Sequence, residues 1–403
     1  MNRSWRLLIA LLAVFALVAA ACGDDDDDAG EPVAAADDDG ATEEPADEPT
    51  DEPADDSGED MMAEGPCGGG GVETAQSEVA GSSTGDGSAL NVGLVHNGRG
   101  DGSFNDSAVV GLDAAVADFG ITPTEVVVNL TGGETGATEV ETLAGSSPDL
   151  SILIGFLLTD AAAAGSTAFP DEQFALLDSG VDAPNVKALV FAEEEGSFLV
   201  GAIAALCSAS GNVGFIGGVE TDLIKKFEAG YAAGARAVNP DIEVQIAYIS
   251  QPPDFSGFGD PVKGKEIALA QLEAGADIIY SAAGGSGNGM FEAVAEAAQD
   301  GSYAWAIGVD SDQGAASNVG VPDAVKPYIL TSMLKRVDVA VYGTIDALVN
   351  GSYEGGGAEV FDLSVGGVGY STTGGHLDQA TVDAVEDFKA QIVAGDIEVP
   401  SAP

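Results

Sequence analysis

Val92-Gly93-Leu94-Val95-His96-Asn97-Gly98-Arg99-Gly100-Asp101-Gly102-Ser103-Phe104-Asn105-Asp106 is the stretch whose reading decides the fold. Residues 92–96 are mostly apolar, residues 97–106 are rich in glycine and polar side chains, and an apolar-periodic run follows from Ala108 to Phe119. That order reads as strand, loop, helix. In an open α/β sheet such a loop lies at the carboxyl end of a strand, where ligands bind. This one carries a carboxylate (Asp101), a hydroxyl (Ser103), an aromatic ring (Phe104) and an amide (Asn105).

The same theme repeats outward along the chain. Short apolar runs at 125–130, 151–156, 174–177 and 186–191 read as strands, and 193–207 reads as a helix. The pattern restarts at Val213, with a helix over 221–238, a strand over 244–249 and a helix over 261–273. A strand at 277–280 leads into the glycine cluster Gly284, Gly285, Gly287 and Gly289, and a helix follows over 290–299. A strand at 303–309 ends in Asp310-Ser311-Asp312-Gln313. A strand at 329–332, a helix over 335–349, a strand at 361–365 and a helix over 378–394 complete the chain. Strands alternating with helices predict right-handed βαβ units and doubly wound parallel sheets, the α/β class. There are too many units for one sheet, and the restart near 213 divides them into two lobes with a cleft where strand-end loops converge.

Ahead of this body the composition differs. Arg3 and Arg6 precede an apolar run from Leu7 to Ala21, which reads as a secretory signal over residues 1–21. Cys22 follows directly, in the manner of a bacterial lipoprotein signal, so lipid on Cys22 is the expected membrane anchor. Residues 22–88 read as a tether. From Gly23 to Gly65 there are twenty acidic residues and no basic one, and Gly68 to Ser88 is rich in glycine and serine. The rest keeps 47 acidic residues against 11 basic ones. Such a charge excludes nucleic acid as a partner and disfavours direct contact with anionic lipid.

Two histidines, His96 and His376, and no Cys/His cluster exclude a zinc site or a histidine relay. Cys67 and Cys207 are left once Cys22 is set aside. Export favours a disulfide between them, while a buried thiol at Cys207 is the equal alternative. Neither glycine loop meets dinucleotide spacing, because Ser103 and Met290 stand where the last glycine belongs. The candidate ligand residues are Asp101, Phe104, Asn105, Asp160, Phe227, Gly284, Gly285, Asp310 and Lys335. Carboxylates accept from hydroxyls, an amide both donates and accepts, and a phenyl ring stacks on a flat face. Taken singly, Asp160 reads more readily as a helix-start carboxylate, Phe227 as core, and Lys335 as a solvated helix start.

Asp101-Gly-Ser-Phe-Asn105 after Val92-Gly-Leu-Val95 resembles the opening motif of the basic membrane protein family of bacterial ABC-importer lipoproteins. Phe227-Glu-Ala-Gly230, Ala282-Ala-Gly-Gly-Ser-Gly287, Gly308-Val-Asp-Ser-Asp-Gln313 and Leu330-Thr-Ser-Met-Leu-Lys-Arg336 agree with it, in order, over about 89–394. The resemblance implies a type I periplasmic-binding-protein fold. Its first lobe would comprise 89–192 and 334–360, and its second 193–333 and 361–400. It implies an extracytoplasmic monomer without cofactor or catalytic residues that binds purine nucleosides of the guanosine, inosine or adenosine type. A permease and an ATPase would be its partners. A sensor of the same fold and a secreted nucleoside hydrolase are the competing readings.

Overall fold

The structure, a computed structural model, describes residues 66–67, 71–73, 79 and 85–403. The expected signal, the lipidation position Cys22 and the acidic run to Gly65 lie outside the described residues.

Two six-stranded sheets organise these residues. The first contains β1 (Asn91–His96), β2 (Thr122–Val127), β3 (Leu150–Leu153), β4 (Phe174–Leu177), β5 (Val186–Phe191) and β11 (Ala358–Phe361). Its order is β11-β5-β4-β3-β1-β2. The second contains β6 (Asn212–Val219), β7 (Glu243–Ser250), β8 (Ile278–Ala282), β9 (Trp305–Asp310), β10 (Ile329–Lys335) and β12 (Val368–Tyr370), in the order β12-β10-β9-β8-β6-β7. The orders are equivalent position by position, so the second sheet repeats the first. Each reverses direction beside its first strand, between β1 and β3 and between β6 and β8. These are the switch points at which open α/β sheets bind ligands.

The helices that cover the sheets are α1 (Phe104–Phe119), α2 (Ala137–Ala144), α3 (Thr159–Ala168), α4 (Glu193–Cys207), α5 (Asp222–Val238), α6 (Pro261–Glu273), α7 (Gly287–Gln299), α8 (Val337–Val349) and α9 (Gln379–Ala394). Several start where a cap dictates. Thr221, Asp260 and Asp378 each accept from the backbone N–H three residues on, and Pro261 occupies the first turn of α6. Central strands are covered on both faces, so β3, β4, β8 and β10 are buried throughout and are mostly apolar, interrupted by Ser151, Ser281, Thr331, Ser332 and Lys335.

Four expectations need correction. The strand expected at 125–130 is β2, displaced toward the N-terminus. As an edge strand it is mostly exposed and tolerates Pro123, so its register is set by pairing from Asn91↔Thr122 to His96↔Val127 and not by apolar content. The strand expected at 361–365 is broken at Asp362, whose carboxylate accepts from the N–H groups of Ser364 and Val365 and turns the chain into a 3-10 turn. That break separates β11 of the first sheet from β12 of the second. β12 also runs antiparallel to β10, so the second sheet is not wholly parallel. Finally, α2 was not anticipated; its Val140, Leu143 and Ala144 face the core with helical spacing.

The chain passes between the sheets three times: from Phe191 into α4, from Lys335 into α8, and from Phe361 to Val368. Cys67 and Cys207 are joined by a disulfide, which attaches the described N-terminal residues to the end of α4. Backbone bonds from Gly71 to Gly375 and from Val72 to Leu377 hold the same segment.

Candidate functional site

A cavity of about 420 Å³ lies between the strand ends of the two sheets, within the range of small-ligand sites. The loop after β1 forms one wall, with Asn97, Asp101, Phe104 and Asn105. The end of β8 and the start of α7 form the facing wall, with Gly284, Gly285 and Asn288. Phe227 of α5, Asp310 at the end of β9 and Lys335 at the end of β10 complete the expected set. Asp160 is the exception. It is exposed in the first turn of α3 and does not line the cavity, and its carboxylate there complements the helix N-terminus.

Lys335 is the electrostatic centre. Its side chain is 2% exposed, with Nζ 2.7 Å from Asp178 Oδ1 and 3.1 Å from Glu193 Oε1. The rings of Phe104, Phe191 and Phe227 surround the ammonium at 5.0, 4.9 and 5.6 Å from their centroids. Burial alone would push the Lys335 pKa down, but Asp178, Glu193 and Asp310 outweigh it and hold it well above its ordinary value. Three carboxylates share this ammonium, so none of them receives the full compensation. Burial accordingly pushes Asp178 up, with Glu193 adding to it, and raises Asp310 to about 6 despite the pull of Lys335 and Ser103. Lys226 joins the cluster from the other side of Glu193, 2.9 Å from Oε2, and also donates to the Phe191 carbonyl.

Asp178 and Glu193 are absent from the expected set. Asp178 directly follows β4, the strand whose place in the first sheet is that of β9 in the second. Asp178 and Asp310 both adopt left-handed backbone, φ 63° and 65°. The signal was present as a repeated phrase: an apolar strand ending in Asp-Ser occurs at Asp178-Ser179 and again at Asp310-Ser311. Glu193 stands at the first position of α4, where an acidic residue ordinarily complements the helix dipole. Phe156 and Phe258 were also unanticipated. They meet edge to face across the cavity, ring centroids 6.3 Å apart.

The opening loop is tightly self-bonded. Asp101 Oδ1 accepts from the N–H groups of Ser103 and Asp106, and Oδ2 accepts from the Asn105 N–H and its Nδ2. Asn105 Oδ1 accepts from the Asn97 N–H. These two residues shape the wall. Arg99 is half exposed and ion-paired with Glu125 and Asp113. Gly284 is required by φ 55°, and a β-carbon there would also stand 3.3 Å from the Phe258 carbonyl oxygen.

The two walls touch directly beside the cavity. Ser103 Oγ donates to Asp310 Oδ2 at 2.6 Å, and Ser311 Oγ donates to the Ser103 carbonyl. Gln313 and Asn318 both donate to the Gly102 carbonyl. The first lobe is thus held on the second by bonds that need no ligand. Among the described residues no group of three or more His, Cys, Asp or Glu is placed to hold a metal ion, and no helix is long and apolar enough to cross a membrane.

The sequence profile of the family described as "Bmp: ABC transporter substrate-binding protein PnrA-like" matches residues 90–402. A CD4+ T-cell-stimulating antigen of Listeria monocytogenes is 38% identical over 66% of this chain and 74% of its own length. The ABC transporter nucleoside-binding protein BmpA of Lactococcus lactis is 37% identical over 62% of this chain and 70% of its own. A solved ABC-transporter solute-binding protein from Aeropyrum pernix superimposes with a TM-score of 0.68 at 27% identity, covering 77% of this chain and 93% of the other. Two repeated α/β sheets, three passages between them and a cavity at their strand ends are the type I periplasmic-binding-protein fold. By profile, relatives and fold together, the chain belongs to the basic membrane protein family of PnrA-like ABC-transporter substrate-binding proteins.

Proposed function

We propose that the chain is the lipid-anchored receptor of an ABC importer for purine nucleosides. The observation that carries this reading is the cavity's division of chemistry: phenyl rings at Phe104, Phe156, Phe227 and Phe258 beside the buried Asp178, Asp310 and Lys335. A flat base stacks on the rings. Ribose hydroxyls donate to the carboxylates and accept from the ammonium. The nucleoside-binding relative from Lactococcus lactis supports the same assignment.

The work of such a receptor is closure without chemistry, and no catalytic group is assigned. A ligand touching both walls stabilises the closed state by its differential affinity for it. The passages at 191–193, 335–337 and 361–368 are the hinges, which moves the first lobe from the expected 89–192 and 334–360 to about 89–191 and 337–361. Lipid on Cys22 would hold the receptor outside the cytoplasmic membrane, beside the permease and its ATPase. The test is a thermal-shift panel of guanosine, inosine, adenosine, pyrimidine nucleosides and free sugars, on protein stripped by unfolding and refolding. Purine nucleosides raise the melting temperature. A panel in which sugars shift it and nucleosides do not overturns the reading.

A further inference from the structure

We infer that residues 311–320 form a latch that holds the two lobes closed without ligand, with Gly320 as the residue that lets it seat. The latch grips one point of the opening loop. Gln313 Nε2 and Asn318 Nδ2 both donate to the Gly102 carbonyl oxygen, at 3.1 and 2.9 Å, which occupies both of its lone pairs. Ser311 Oγ donates to the next carbonyl, that of Ser103, at 3.0 Å. All three donors come from the second lobe and both acceptors from the first. Gly102, Ser103 and Gln313 are buried, so these bonds are shielded from water while the lobes are together.

The donors are oriented before the lobes meet. Gln313 Oε1 accepts from the Val309 N–H, and the Gln313 N–H donates to Ser332 Oγ. Asn318 Oδ1 accepts from the Gly320 N–H, and Asn288 Nδ2 donates to the Gly320 carbonyl. All of these bonds lie within the second lobe, so little conformational freedom is lost on closing. Gly320 then comes backbone to backbone against Gly102. A β-carbon on Gly320 would overlap the Gly102 nitrogen and α-carbon and stand 2.9 Å from Asp106 Oδ2, all in the first lobe. The Gly320 φ lies outside the left-handed region, so its backbone accepts alanine and the overlap is with the opposite lobe. Gly102, Ser311, Gln313, Asn318 and Gly320 do not line the cavity. Closure therefore does not wait for a ligand. The empty receptor rests closed, ligand enters through a minor open state, and affinity is not reduced by a small closed fraction.

Spin-label distances across the cleft test this, on protein stripped of ligand by unfolding and refolding. The labels sit at exposed positions, one per lobe: Val127→Cys at the end of β2 and Val262→Cys at the start of α6. The full chain carries Cys22→Ser, and Cys67 and Cys207 are paired. With the native latch, the separation of the closed structure predominates. Gly320→Ala wedges the lobes apart. Asn318→Asp adds no bulk, keeps the acceptor for the Gly320 N–H and turns a carboxylate oxygen toward the Gly102 carbonyl. Each raises the ratio of longer to closed separation by at least about tenfold, the effect of one or two buried hydrogen bonds. A native latch whose longer separation predominates overturns the inference. So does either variant that is folded by circular dichroism and keeps the native separation. No nucleoside enters these comparisons, so they stand whether or not the nucleoside reading does.

Discussion

Replacing Lys335 by methionine tests the account of the cavity most directly. The side chain keeps its length and its fit among Phe104, Phe191 and Phe227, but the ammonium between Asp178 and Glu193 is gone. Two buried carboxylates then face each other without that counter-ion. Breaking a buried ion pair from one side costs about 3–5 kcal/mol, chiefly the penalty for the charge left behind. The loss is expected at that size near pH 7.5, read from urea midpoints of ligand-free protein.

The pH dependence identifies its source. The Lys335 pKa is raised in the folded state, so its contribution is complete below the ordinary lysine value, about 10.4, and is lost only as pH rises through the raised value. Between pH 5 and 7.5 wild type therefore keeps the whole of it. Asp178, raised by burial, loses its nearest compensating charge in the variant and takes up a proton as pH falls. The difference between variant and wild type should accordingly shrink toward pH 5. A loss below about 1 kcal/mol at pH 7.5, or one that does not change with pH, would refute the account.

Three further outcomes follow from the same contacts. Burial raises Asp310 to about 6, and in the function proposed above its charged form accepts from a ligand hydroxyl. Nucleoside affinity should be flat above that pH and fall below it, and Asp310→Asn, which keeps the left-handed backbone tolerable, should flatten the profile in calorimetry. Ser103→Ala removes a buried bond to that carboxylate and should destabilise the protein by about 1.5–3 kcal/mol, with the acid limb of the binding profile moving to higher pH. Cys67→Ser should lower unfolding stability by about 2–4 kcal/mol, measured under oxidising conditions, and dithiothreitol should reproduce the loss in wild type.

The sequence disclosed the fold wherever local chemistry and tertiary packing agree. The starts of α5, α6 and α9 are set by Thr221, Asp260 and Asp378, caps that act within one turn. β2 was displaced because an edge strand takes its register from its neighbour. β12 was missed because three residues carry no periodicity. The candidate site was legible on the strand-end loops that carry glycine, where Asp101, Phe104 and Gly284 stand. Asp178 and Glu193 escaped because each has an ordinary local role, one following a strand and one starting a helix. Only the approach of β4 and α4 to Lys335 joins them.

The disulfide has a topological consequence. Cys67 and Cys207 are 140 residues apart, and every strand from β1 to β5 lies between them. That stretch is a covalent ring. A single proteolytic nick anywhere inside it opens the ring without releasing a fragment, so the two pieces migrate together until the bond is reduced. A nick in a loop beyond Cys207 leaves no such link. In an oxidising compartment the chain is therefore unequally vulnerable: a first cut in the glycine-rich opening loop is retained, and a first cut in the second lobe can separate its pieces.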